Sequence, residues 1–212
     1  MMDLQFDGPE SATDWVIVAH GAGAGKEHEF MTDIATRIGV DCRVVRFNFP
    51  YMEKCKEDGK KRPPDRAPKL LAHFESVIDV VDGLRPKESR LWLAGKSMGG
   101  RMASHLTDHS SVSGVICFGF PFHPPGKPEK YKGEHLATVT KPLLIVQGER
   151  DTFGRKEDVM GYPCSSSIER MFVPDGDHSF KPRKASGYTE SDNRQFAVNC
   201  LLDFIECQGA KA

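Results

Sequence analysis

Leu91-Trp92-Leu93-Ala94-Gly95-Lys96-Ser97-Met98-Gly99-Gly100 is an apolar run that stops abruptly in G-x-S-x-G. That is the pattern of a nucleophile elbow, a serine exposed on a sharp strand-to-helix turn, with small residues two places either side so that the strained backbone clashes with nothing. Gly95 and Gly99 meet this need, and Gly100 adds a residue without a side chain where the following helix crosses the sheet. Five residues alone would be a weak signal, but the flanks agree with it. Ser89–Ala94 is short, apolar and bounded by polar residues, as a buried parallel strand should be. Met102, Ala103 and Leu106 recur at helical spacing, which puts Ser97 at a helix N-terminus, where free N–H groups favour developing negative charge.

Outward from this stretch, strand-like and helix-like segments alternate, the signature of a parallel sheet covered on both faces. Strands are expected at Trp15–Ala19, Arg43–Phe49, Arg90–Ala94, Val112–Phe118, Leu143–Gln147 and Ile168–Val173, with Leu4–Phe6 as a possible edge strand. Helical spacing is carried by Phe30, Ile34 and Ile38, then by Leu70, Phe74, Val77, Ile78 and Val81, and near the end by Phe196, Cys200, Leu201, Phe204 and Ile205. A short helix is expected over Arg155–Met160. Pro50–Pro68 and Pro121–Lys132, each with four prolines among polar residues, read as surface loops. The expectation is one α/β domain over residues 1–212, with a mostly parallel sheet of about six to eight strands.

Composition narrows the classes further. The 212 residues suit one domain with a sizeable core, and 39% hydrophobic with 28% charged is ordinary for a globular protein. Lys+Arg 29 against Asp+Glu 30 leaves a formal net charge of −1, so no global field points to nucleic acid or to an anionic membrane. The first residues carry neither a basic start nor an apolar run, and no stretch approaches membrane-spanning length, which makes a cytoplasmic location the default expectation. The six cysteines form no C-x-x-C pair and no zinc-ligand spacing, so reduced thiols are expected. The basic cluster Lys54, Lys56, Lys60, Lys61 and Arg62 reads as a solvated face, with a role toward an anionic ligand or partner left open.

A serine nucleophile needs an imidazole to take its proton and a carboxylate to fix that imidazole's tautomer. Asp151 follows the apolar run Leu143–Gln147, and His178 follows Ile168–Val173 on a loop before the last helix. Catalytic groups in open α/β sheets gather at the carboxyl ends of strands, so Ser97, Asp151 and His178 should converge on one edge. Asp158 is the rival carboxylate, while Asp177, adjoining the histidine, should shape the turn. The other histidines all precede Asp151 and read as solvated or structural. Two backbone N–H donors are needed for an oxyanion: Met98, next after the serine, and Ala22 in His20-Gly21-Ala22-Gly23-Ala24-Gly25. That glycine-rich stretch fits neither nucleotide motif, because Glu27 stands where a phosphate loop has Ser or Thr and Lys26 where a dinucleotide fingerprint has its third glycine.

With these residues in the order Ser97, Asp151, His178, the chain resembles the α/β-hydrolase superfamily from about Trp15 to the last helix. More narrowly, His20–Ala24, the basic residue inside the elbow and the short chain are similar to small predicted hydrolases related to dienelactone hydrolases and to a subunit of the NSL histone-acetyltransferase complex. The resemblance implies Ser97 as nucleophile, His178 as base then acid, and Asp151 as orienting carboxylate, acting on a small ester or thioester with no metal or organic cofactor. Dienelactone hydrolases proper use a cysteine nucleophile, so a lactone substrate does not carry over. The short segment after the fourth strand implies little or no lid. Lys96 and Arg101 would favour an acidic substrate, or Lys96 would simply run along the surface. The competing reading is a protein-interaction module that keeps the fold without turnover. The sequence leaves the oligomeric state open.

Overall fold

A computed structural model describes residues 2–210. Seven strands form one sheet: β1 (Gln5–Asp7), β2 (Asp14–Ala19), β3 (Arg43–Phe47), β4 (Arg90–Lys96), β5 (Val112–Phe118), β6 (Leu143–Gly148) and β7 (Ile168–Val173). Their spatial order is β1-β3-β2-β4-β5-β6-β7, with β1 antiparallel to β3 and every other pairing parallel. The six sequence-predicted strands are all present within two residues at each end, and the edge strand falls at Gln5–Asp7. Central strands are apolar on both faces because both are covered: β2, β4 and β6 are buried along essentially their whole length.

Six α-helices provide the cover: α1 (Glu29–Ile38), α2 (Pro50–Asp58), α3 (Ala67–Leu84), α4 (Met98–Ser104), α5 (Lys156–Gly161) and α6 (Glu190–Gly209). One core layer joins Leu70, Phe74 and Val77 of α3 and Met102 of α4 to Ile17, Leu93 and Ile145 of the sheet. The opposite layer joins Phe30 and Ile34 of α1 and Leu201 and Phe204 of α6 to Val18, Trp92 and Leu144. Each strand sends alternate residues to the two layers, as its period of two requires.

The segment Pro50–Pro68, expected to be a loop, is largely helical. Residues Pro50–Asp58 form α2, and α3 already begins at Ala67, so only 59–66 are irregular. The prolines sit where helices tolerate them: Pro50 opens α2 after the extended Phe49, and Pro68 occupies the first turn of α3. Gly59, with φ +69°, ends α2 in the left-handed conformation that favours glycine. The helix was hard to read because it buries only Tyr51, too little for an apolar stripe. The second expected loop is irregular as read and leads into a single 3-10 turn, Glu134–Thr138, before β6. No described helix is long and apolar enough to cross a membrane.

Candidate active site

Ser97 lies between β4 and α4 with φ +52° and ψ −114°, a conformation that L residues rarely adopt. Its backbone is fixed on both sides, its N–H donating to Phe118 O at 2.9 Å and its carbonyl accepting from Arg101 N at 3.0 Å. The glycines make room for this turn. A Cβ on Gly95 would lie 2.3 Å from the Gly99 carbonyl carbon, and one on Gly99 would lie 2.4 Å from Ala19 O. The elbow therefore packs backbone against backbone where no side chain fits.

β4, β6 and β7 run parallel, so the residues just past their carboxyl ends meet on one edge of the sheet. His178 Nε2 stands 2.9 Å from Ser97 Oγ, and its Nδ1 stands 2.8 Å from Asp151 Oδ2. The carboxylate acceptor fixes the proton on Nδ1, which leaves Nε2 free to accept from the serine hydroxyl. Asp151 is 0% exposed, and its charge is met by donors: Phe153 N at 2.8 Å to Oδ1, and Gln147 Nε2 at 2.9 Å to Oδ2 beside the imidazole. His178 itself is 24% exposed at its side chain, open to the cleft.

The rival carboxylates are elsewhere. Asp158 lies in the first turn of α5, accepting from Arg155 N at 3.3 Å, and lines a separate cleft with His123 and Thr152. Asp177 accepts from Ser179 N at 2.8 Å and Lys181 N at 3.0 Å, closing the turn that carries His178, as its position suggested. Asp175 is engaged by Arg150 and Arg183.

The glycine-rich loop after β2 is held from below. His20 is fully buried; its Nδ1 donates to Gly21 O at 2.7 Å while Nε2 accepts from Phe49 N at 3.0 Å, and burial pulls its pKa down to about 4. Tyr51 of α2 donates to Ala22 O at 3.0 Å and sits 3.3 Å from Gly21 O. The Gly21 carbonyl and the Ala22 N–H share one trans peptide plane, so turning the carbonyl toward His20 aims the N–H the opposite way. The Ala22 N–H finds no acceptor among the described residues, and Met98, first in α4, has no intrahelical acceptor for its own. Both residues border the space at Ser97. The Lys26 amine, at the end of this loop, points away from the cleft to Asp3, 2.7 Å from both its carbonyl and its carboxylate.

Lys96 does not run along the surface. Its side chain is buried with the ammonium 5.5 Å from the Phe30 ring centre and 5.7 Å from that of Phe180, and it donates to the His178 carbonyl. Burial pushes its pKa down to about 8, against the pull of Asp151 and Asp177. Three contributors escaped the sequence reading: Gln147, Phe153, whose ring lies 4.3 Å from the His178 ring, and Tyr51. The one available signal was Gln147, a polar residue closing an otherwise apolar strand.

A serine on the turn after a central parallel strand, with a histidine and an aspartate at the ends of neighbouring strands, is the architecture of the α/β-hydrolase class. The chain belongs to the alpha/beta hydrolase domain family, which it matches over residues 12–206. Among solved structures it is similar to an alpha-beta serine hydrolase homologue from Coxiella burnetii, with TM-score 0.71 and 19% identity over 93% of this chain and 90% of that one. It is also similar to an α/β serine hydrolase without lid from Xanthomonas campestris, with TM-score 0.67 and 22% identity over 94% and 89%. A third, Est1E from Butyrivibrio proteoclasticus with ferulic acid bound, gives TM-score 0.67 and 16% identity over 97% and 96%. At these identities the likeness is one of fold.

Proposed function

We propose that the protein is a serine hydrolase that cleaves a small carboxylic ester or thioester through an acyl-enzyme. The observation that carries this reading is the unbroken line from Asp151 through His178 to Ser97, at 2.8 and 2.9 Å, opening on a cleft of about 440 Å³. Ser97 Oγ attacks the substrate carbonyl as its proton passes to His178 Nε2, and the buried Asp151 carboxylate steadies the imidazolium. The resulting oxyanion lies between the Ala22 and Met98 N–H groups; loss of one such donor typically costs about 10²–10³ in rate. His178 then protonates the leaving alcohol or thiol. Water, deprotonated by the same nitrogen, attacks the acyl carbon and returns Ser97 with its proton. The narrower likeness to small hydrolases related to dienelactone hydrolases fits a compact site on small acyl groups, and supplies no substrate.

The test is intact-mass detection of fluorophosphonate labelling on wild type, Ser97→Ala and His178→Ala. One adduct is expected on wild type, none on Ser97→Ala, and a greatly slowed one on His178→Ala. An unlabelled but folded wild type would instead support the interaction-module reading.

A further inference from the structure

Two clefts meet at Ser97, sharing Ala22 and Phe153 as walls. The first, about 440 Å³, contains His178, Lys96 and the glycine-rich loop. The second, about 290 Å³, lies along Met98, Arg101, Pro121 and Lys132, with Asp65 opposite, and does not include His178. The mechanism above tells them apart. The leaving group must sit within reach of His178 Nε2, which protonates it, so it occupies the first cleft; the acyl chain departs from the carbonyl on the other side, into the second.

The second cleft is furnished for an anion. Arg101 stands one helical turn beyond Ser97 on α4, half-buried, and its guanidinium makes no hydrogen bond or ion pair with any described residue, although eleven arginine–carboxylate pairs form elsewhere among the described residues. Burial draws its pKa below the ordinary guanidinium range, with the Glu134 carboxylate acting against this. Lys132 has its backbone fixed by donation to Phe122 O at 2.7 Å, while its ammonium likewise meets no partner among the described residues. Asp65, the one acid on this lining, holds Lys69 Nζ at 2.8 Å through Oδ1, while its Oδ2 is buried without a partner. Lys96, the cation of the first cleft, does not compete, because it is committed to the His178 carbonyl.

We propose that this second cleft is an acyl subsite for a short chain ending in a carboxylate, held by Arg101 and Lys132, so that the preferred substrate is a monoester or monothioester of a small dicarboxylic acid. The proposal rests on the hydrolase reading and adds the substrate class to it. A half-buried guanidinium that makes no ion pair among the described residues is one half of a charge-assisted pair, and its planar fork matches a carboxylate. Arg101 is separated from Ser97 by a single helical turn, about 6 Å of rise, which suits a chain of four to six carbons.

The test compares kcat/KM for the mono-p-nitrophenyl ester of adipic acid with that for its methyl-capped counterpart, each corrected for enzyme-free hydrolysis. Wild type is expected to favour the free carboxylate by about tenfold or more at low salt, the scale of one charge-assisted hydrogen bond. Arg101→Gln should bring that ratio near one, and Lys132→Gln, an exposed position that cannot trouble folding, should lower it about threefold, as should raised ionic strength. A wild-type ratio of one or less, or a ratio untouched by both variants, overturns the subsite. If fluorophosphonate labels Ser97 but neither ester turns over, the acyl class is wrong and the hydrolase reading stands. If Ser97 is inert, both fall together.

Discussion

Asp151 lies wholly out of water, and both its carboxylate oxygens are answered by donors. Replacing it with Asn keeps the volume but presents an amide N–H to His178 Nδ1, favouring the tautomer that places the proton on Nε2, where the serine needs an acceptor. Asp151→Asn should therefore lower kcat by about 10⁴, the scale of such a tautomer error. Asp158→Asn, which alters only a helix cap remote from His178, should leave kcat within about twofold. Steady-state kinetics on any turned-over ester decides between them, and the reverse ranking would exchange the carboxylates. At this scale the candidate triad was legible because each member stands in a fixed relation to a strand end. Phe153 and Tyr51 were not, because they act through contacts between segments far apart in the chain, and no local pattern announces such a contact; Gln147, four residues from Asp151, left only the trace of a polar residue closing an apolar strand.

The elbow is the element whose geometry tolerates least. Gly99 is the sharpest case: a methyl group there would meet Ala19 O at 2.4 Å and His20 O at 2.6 Å, both backbone atoms that cannot yield without moving β2. Gly99→Ala is expected to lose stability by about 2–4 kcal/mol, the range of a backbone clash in a core, and to lose labelling of Ser97 even in the fraction that folds. Chemical denaturation with parallel labelling measures both, and an unshifted midpoint would contradict the close packing. Gly161→Ala, where the added methyl group would meet nothing within 4 Å, is the control. Strands and most helices were readable because a single face or a continuous apolar run marks them. α2 was not, since proline and charge dominate its composition and its contribution is one buried tyrosine placed under the glycine-rich loop.

The whole molecule bears one unusual electrostatic cost. The Lys96 ammonium is enclosed by the protein, and burial brings its pKa from 10.5 to about 8. Between those values the unfolded chain holds a proton that the folded chain has released, so stability attributable to this residue rises with pH across the window; the cost of the buried charge is fully present below it. The stability difference between wild type and Lys96→Met should therefore shift in favour of wild type as pH climbs from about 8 toward 10.5. Denaturant titrations of the two proteins at matched pH values report it, and a difference independent of pH would show that the residue keeps its charge throughout. The topology was open to prediction from the alternation of elements, but this burial was not, because Lys96 turns inward only where Phe30 and Phe180 from two other segments supply its walls.

The clamp between Lys26 and Asp3 ties the start of the chain to the loop that overhangs Ser97. Arg46 reinforces it, donating to Lys26 O at 2.7 Å and to both carboxylate oxygens of Asp7 in β1. Purification handles are commonly fused ahead of residue one, and here such a fusion would pull directly on the glycine-rich loop that lines the cleft with Ser97. A handle at the opposite terminus, beyond α6, leaves that tether slack, and is the arrangement in which the protein's own reactivity is best preserved.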